Sequence, residues 1–244
     1  MRAHGKINWT LEVLGKRPDG YHELRSIVLP IEEYDEVFVK PNDGGIKVVG
    51  CEGVPMEENL CYIAAKKLAE KIQMKDPQVT ITVKKYLPMG GGLGGGSADA
   101  AITLRLLRDL WAVMLSEAEM IEVAASVGSD VPALYLGGPV MMEGRGEKVR
   151  RLTANERRGL PKPNQIVTYT PELAASTPKV YAEFKEEDRG LGRNDLQPAA
   201  LRLYPEIGNA LKKLQALNLE DVAMSGSGST VYGILRKKLE DLWK

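Results

Sequence analysis

Pro88-Met89-Gly90-Gly91-Gly92-Leu93-Gly94-Gly95-Gly96-Ser97-Ala98-Asp99 runs directly into Ala100-Ala101-Ile102-Thr103-Leu104. Six glycines in seven positions are unfavourable inside a helix or strand, since each gives up extra backbone entropy on ordering. What they permit is close approach of bare backbone to a ligand, with several N–H groups turned towards it. Ser97 reads as a cap, and the repeat Ala101, Leu104, Leu107 reads as the apolar stripe of a helix that follows at once. Free N–H groups and the dipole at that helix end favour an anion. A glycine loop feeding a helix N-terminus is therefore expected to cradle phosphate.

Other readings of the loop fit less well. A Walker loop ends in Gly-Lys-Ser/Thr, and this one ends Gly95-Gly96-Ser97 with no lysine. Gly90, Gly92 and Gly95 satisfy G-x-G-x-x-G, but any run this rich in glycine would. The helix then leads through Trp111 into a second helical stretch, Ser116 to Val127, and not into the strand of a dinucleotide-binding unit. A flexible linker would not sit between an alternating strand and a capped helix.

Composition narrows the class. A chain of 244 residues, 43% hydrophobic and 27% charged, has the makeup of a globular enzyme with a sizeable core. Its 33 basic and 33 acidic side chains cancel, so no global field favours nucleic acid, and no nucleic-acid partner is expected. Cys51 and Cys61 are unaccompanied by clustered histidine, which argues against structural zinc or a disulfide framework and suits a reducing cytoplasm. Neither an apolar leader nor a run of membrane-spanning length is present, so a cytoplasmic protein with no membrane partner is expected.

Ile7 to Val13 alternates with period two and reads as a half-buried strand that puts Lys6, Asn8 and Thr10 on one face. That face reaches either a ligand or only solvent. Pro18-Asp19-Gly20 is a turn, and Tyr21-His22 stands at its mouth before a strand over 24–29, where ring and imidazole suit a flat base or simple packing. A further strand over 34–40 turns at Gly44-Gly45, hairpin-like, into 46–49. Asn59 caps a helix, and Val79, Ile81 and Val83 alternate in the strand that delivers Lys84, Lys85 and the glycine loop. Ser116-Glu117-Ala118-Glu119 is a capping box, and Gly128 ends the helix it opens. Asp130 follows in a turn, as a turn residue or as a fixed carboxylate facing a site, before strands at 134–136 and 140–142.

The charged, proline-broken stretch from Arg150 to Pro163 is the best domain boundary. Past it come a strand over 165–169 and a short helix capped by Thr177 that carries Tyr181. Helices are expected to open at Asn194-Asp195 and at Pro205. A second glycine-serine loop, Ala223 to Ser229, leads into a strand over 230–235.

In this order and over almost the whole chain, these stretches resemble the GHMP small-molecule kinases. The likeness is carried by Gly5-Lys6-Ile7-Asn8, by Val13 to Glu23, by Pro88 to Ala101 and by Gly128-Ser129-Asp130-Val131-Pro132. It continues through Gly144-Arg145-Gly146-Glu147, Thr177-Pro178, Asn194-Asp195-Leu196 and Met224 to Thr230. The glycine loop indicates the superfamily. Gly15-Lys16-Arg17-Pro18-Asp19-Gly20-Tyr21-His22 is similar to the segment by which one branch meets a cytidine-diphosphate-linked methylerythritol.

The resemblance implies an α+β two-layer fold, with a ribosomal-S5-domain-2-like ATP-binding lobe over 1–152 and a smaller C-terminal substrate lobe over 162–244. It implies small-molecule partners, with transfer of the γ-phosphate of ATP to the 2-hydroxyl of the methylerythritol unit in non-mevalonate isoprenoid synthesis. Lys6 and Asp130 match the catalytic pair. Asn59, Lys85, Pro88, Met89, Gly90, Gly91, Gly92, Leu93, Gly94, Gly95, Gly96, Ser97 and Ala98 match positions around ATP. Tyr21 and Tyr181 would sandwich cytosine, His22 would read its edge, and Asn8 and Thr177 would lie beside the rest of the substrate. Mg2+ is implied, with Ser97 and Asp99 as candidate ligands. Gly5 and Ala98 depart from the family's usual alanine and second serine. A mevalonate, homoserine or sugar kinase would have no use for Tyr21-His22 opposite Tyr181.

Overall fold

The alternation of apolar residues in Arg2–Asn8 (β1), Glu12–Lys16 (β2) and His22–Pro41 (β3) builds the spine of the molecule. The coordinates, a computed structural model, describe residues 1–88 and 90–236. β3 is a single strand of 20 residues where two separate strands are expected from sequence. Its length lets it serve several neighbours: β2 pairs along Leu24 and Arg25, and β1 pairs from Val28 to Glu36.

Gly44-Gly45 does not make a hairpin. Ile46–Val49 (β4) crosses over to run parallel to Val79–Lys84 (β5), and it is β5 that lies antiparallel to β3. Val140–Gly144 (β6) and Lys148–Arg151 (β7) complete a seven-stranded sheet in the order β4-β5-β3-β6-β7, with β1 and β2 also paired to β3.

Helices cover one face of this sheet. Asn59 caps Leu60–Lys71 (α1), its Oδ1 accepting from the Cys61 and Tyr62 N–H groups. Gly95–Leu110 (α2) is the central helix: every residue from Ala98 to Leu104 is buried, as befits a helix enclosed on nearly all sides. It starts two residues before Ser97. Gly94, in the left-handed region at φ +68°, occupies the cap position, and Ser97 sits in the first turn. Ser116 and Glu119 form the expected capping box of Glu117–Val127 (α3).

Residues 134–136 are helical, within Val131–Leu136 (α4), and not a strand. Pro132 lies in the first turn of α4, where a missing N–H costs nothing, so it begins a helix here. Asp130 therefore stands between two helices. Among the described residues no helix is long and apolar enough to cross a membrane.

The remaining chain forms a second layer. Ile166–Tyr169 (β8), Glu220–Met224 (β9) and Val231–Ile234 (β10) make an antiparallel sheet in the order β8-β10-β9. Thr177–Glu183 (α5), Gln197–Leu203 (α6) and Pro205–Ala216 (α7) flank it. Ser176, not Thr177, takes the cap position of α5, and α6 begins after Leu196 and not at Asn194.

The two layers share their cores. Ile7, Trp9, Leu29 and Leu93 pack with Ile166, Ala223, Tyr232 and Ile234. Leu11, Val13 and Leu24 pack with Val180, Leu196, Ile207 and Met224. The Tyr232 hydroxyl donates to the Trp9 carbonyl at 2.9 Å, which satisfies the one polar atom of a fully buried ring. This joint brings the second glycine-serine loop against the first.

Candidate active site

The period-two pattern of β1 delivers Lys6 and Asn8 to one face, and both are buried. The Lys6 backbone N–H donates to the Leu93 carbonyl at 2.9 Å, so the glycine loop is stitched to β1 directly. The Lys6 ammonium then donates to Asn8 Oδ1 at 2.8 Å and to the Gly92 carbonyl at 3.1 Å, and forms an ion pair with Asp130 Oδ2 at 3.1 Å. Lys6 is 4% exposed, whereas the Asp130 side chain keeps 31% of its surface, so the carboxylate faces open space while the cation is held behind it.

Backbone geometry requires glycine at two positions of the loop. Gly92 has φ +79°, and a Cβ there would lie 2.8 Å from the Gly228 carbonyl oxygen. Gly94 has φ +68°, and its Cβ would press to 3.0 Å from Lys6 Cε. At Gly5, outside the loop, a neighbour also crowds the position: Ile31 Cδ1 lies 3.0 Å from where a Cβ would stand.

Two cavities meet at Asp130. One, of about 440 Å3, is walled by Pro88, Gly90 to Gly96 and Ser97, with Asn59, Lys85 and Cys51 at its other side. The other, of about 880 Å3, runs past Asn8, Tyr21, His22 and Tyr181. Gly92, Ser97, Asp130, Thr177 and Ser227 line both. The candidate site residues divide between these two cavities, with three departures. Met89 lies outside the described residues. Ala98 is 1% exposed and packs in the core under α2, lining neither cavity. The ring stacked on Tyr181 is His22, at 5.0 Å between centroids and 22° between planes, while Tyr21 is 54% exposed beneath the Arg145 guanidinium.

Burial, with Lys16 and Arg189 nearby, pushes the His22 imidazole below its ordinary value, so its ring stays neutral at neutral pH. Burial and the adjacent Asp130 push the Tyr181 phenol up, which keeps it protonated.

Lys85 is placed differently from a free cation. Its ammonium donates to Asp99 Oδ2 at 2.8 Å and to Asp35, and lies beneath Gly95. Asp35 also accepts the Leu87 N–H at 2.8 Å, so it is the better satisfied of the two carboxylates. Asp99 is left with a dry, unpartnered Oδ1, and burial pushes its carboxyl up to about 7. One half-buried lysine is shared between two buried carboxylates.

Among the described residues no three His, Cys, Asp or Glu side chains gather as a metal site. Magnesium arriving on a nucleotide needs only one or two protein oxygens. The Ser97 hydroxyl, on the wall shared by both cavities, fits that need; the Asp99 carboxyl is committed to Lys85 on one oxygen and buried on the other.

Several residues of the site escaped the sequence reading. Ser225 is fully buried and accepts the Asn8 N–H at 3.1 Å; Ser227 bonds Thr177 at 2.7 Å; Arg145 and Lys16 line the larger cavity. The signal for the serines was the second glycine-serine loop itself.

Comparison with known proteins agrees with this geometry. Residues 59–138 match the GHMP kinases N terminal domain, and residues 172–242 match the GHMP kinases C terminal domain. A 4-diphosphocytidyl-2-C-methyl-D-erythritol kinase from Pelotomaculum thermopropionicum is 37% identical over 257 residues, covering 95% of this chain and 87% of the relative. The chain belongs to the 4-diphosphocytidyl-2-C-methyl-D-erythritol kinases, within the GHMP kinases. A crystal structure of a 4-(cytidine 5'-diphospho)-2C-methyl-D-erythritol kinase superposes with TM-score 0.81 at 33% identity, over 97% of this chain and 90% of that one. A homoserine kinase from Cytophaga hutchinsonii superposes with TM-score 0.69 at 16% identity, over 97% and 84%, and shares the GHMP fold.

Proposed function

We infer that the chain transfers the γ-phosphoryl group of ATP to the 2-hydroxyl of 4-diphosphocytidyl-2-C-methyl-D-erythritol, releasing ADP, as a step of non-mevalonate isoprenoid synthesis. The observation that carries this reading is the Lys6–Asp130 pair on the wall between a glycine-lined cavity and an aromatic one. ATP occupies the first, with its phosphates against Gly90 to Ser97 and its adenosine towards Asn59 and Lys85. The cytidyl alcohol occupies the second. Residues 1–152 form the ATP-binding unit and 162–244 the second unit, which contributes Thr177, Tyr181 and Ser227 to the common cleft. Cys51 and Cys61 are free thiols, which suits a cytoplasmic location.

Asp130 accepts the proton of the attacking hydroxyl. An aspartate is a weak base, but phosphoryl transfer passes through a loose transition state in which positioning and charge stabilisation dominate. Lys6 supplies both: its hydrogen bonds to Asn8 and Gly92 fix the ammonium, which orients the Asp130 carboxylate through their ion pair and offsets charge on the moving phosphoryl group. Ser97 would hold magnesium, and the bound ion would screen the phosphate charge. Cytosine enters between Tyr21 and Tyr181 as the His22 ring gives up its place on Tyr181 and turns a nitrogen to the base.

The substrate assignment is tested by Tyr21→Ala. Base stacking contributes about 1–3 kcal/mol, so KM for the cytidyl alcohol is expected to rise about five- to 160-fold while KM for ATP stays put. An unchanged KM for the alcohol would remove the aromatic slot from the account.

A further inference from the structure

Asn194 and Asp195 line neither cavity of the site, yet both side chains are buried and hydrogen bonded on two sides. The segment is splinted to Leu11, the residue just ahead of β2: the Leu11 N–H donates to the Arg193 carbonyl at 2.8 Å and the Asp195 N–H to the Leu11 carbonyl at 2.9 Å. From this anchor the two side chains serve different parts. Asp195 accepts the Val13 and Gly190 N–H groups, both at 2.9 Å, and so ties down β2. The Asn194 amide nitrogen donates to the Met224 and Gly226 carbonyls, both at 2.8 Å, while its Oδ1 accepts the Leu196 N–H at 2.9 Å.

Those carbonyls belong to the second glycine-serine loop. Its Ser225 hydroxyl accepts the Asn8 N–H at 3.1 Å, and the Thr230 N–H donates to the Gly91 carbonyl at 3.0 Å. A Cβ on Gly226 would stand 3.8 Å from Lys6 Nζ and 3.3 Å from Asn8 Oδ1, so the loop passes directly beside the Lys6 ammonium and the amide that holds it. A neutral carboxamide can give two N–H groups to two buried carbonyls while accepting a third bond; a carboxylate would face them with oxygen.

We propose that Asn194 is a positioning residue for phosphoryl transfer: its carboxamide, with Ser225 at the other end, fixes the Met224–Ser227 turn against Gly92 and Asn8 and thereby the place where Lys6 meets the transferring group. The proposal rests on the kinase reading above.

Steady-state kinetics and melting temperature of four variants of the full chain test it. For Asn194→Ala, kcat is expected to fall about tenfold or more, with KM for the cytidyl alcohol within about twofold, because the aromatic slot is untouched. Asp195→Ala strips two buried N–H groups of their acceptor and is expected to lower Tm at least as far, with kcat within about twofold of wild type. Ser225→Ala removes one hydroxyl and should reproduce the kcat loss, and Asn194→Ala/Ser225→Ala should lose little more than either alone, since both act on one loop. A wild-type chain that does not turn over the substrate would overturn the kinase reading itself. Wild-type turnover with Ser225→Ala at full kcat, or with Asn194→Ala and Asp195→Ala losing kcat in step with Tm, would overturn the positioning role. Should Asn194→Ala not fold, Ser225→Ala decides alone.

Discussion

Lys6 and Asp130 are 124 positions apart in the chain, and nothing in their local sequence pairs them; the ion pair at 3.1 Å comes from β1 and the start of α4 meeting over the glycine loop. If Asp130 is the proton acceptor, Asp130→Asn should abolish turnover while ATP still binds, measured by titration calorimetry beside the rate assay. Normal turnover in that variant would exclude the role. Asp99 makes a second prediction, through pH. Its carboxyl is pushed from 3.8 up to about 7 in the folded chain. Between those values the folded state holds a proton that the unfolded state has lost, so the stabilisation is complete below the window and disappears as pH rises through about 7. The denaturant midpoint should therefore be lower at about pH 8 than at about pH 6, and Asp99→Asn should flatten the difference. A variant with the full wild-type drop would show that the slope arises elsewhere.

The glycine loop and the helix after it were legible because both rest on local chemistry: glycine where φ is positive and where a Cβ would strike backbone, apolar residues on the turns that face the sheet. Gly92→Ala should accordingly impose roughly 1–2 kcal/mol of left-handed strain before any clash with Gly228 is counted. Melting temperature and KM for ATP report both effects: the first should fall and the second rise, and an alanine variant indistinguishable from wild type would refute the cradle. Elements whose identity depends on partners were read less well. Residues 134–136 alternate acceptably as a strand, and only Asp130 and Pro132 acting as a helix start tip them to α4. The Gly44-Gly45 turn has hairpin chemistry, but the next strand finds its partner in β5, a choice made by the packing of α1 on the sheet and invisible in the turn.

At the scale of the molecule, the resemblance carried by the ordered motifs implied the GHMP fold, and matches to both family domains and the 0.81 TM-score agree with it. What the alternating face of residues 7–13 could not reveal was its partner. The stretch breaks into two strands: Ile7 on β1 and Trp9 just past it bury against Tyr232 and Ile234, while Leu11, ahead of β2, buries against Leu196 and Ile207, so both strands are held from the far end of the chain. That joint places the aromatic cavity beside the glycine-lined one, and phosphoryl transfer to a cytidyl alcohol depends on this pairing. The most direct test is ADP release from ATP and magnesium with the cytidyl-methylerythritol alcohol, mevalonate and homoserine offered in parallel. Turnover confined to the cytidyl alcohol is the predicted result. ADP release with mevalonate or homoserine instead, or no release from any of the three by a chain that binds ATP, would contradict it.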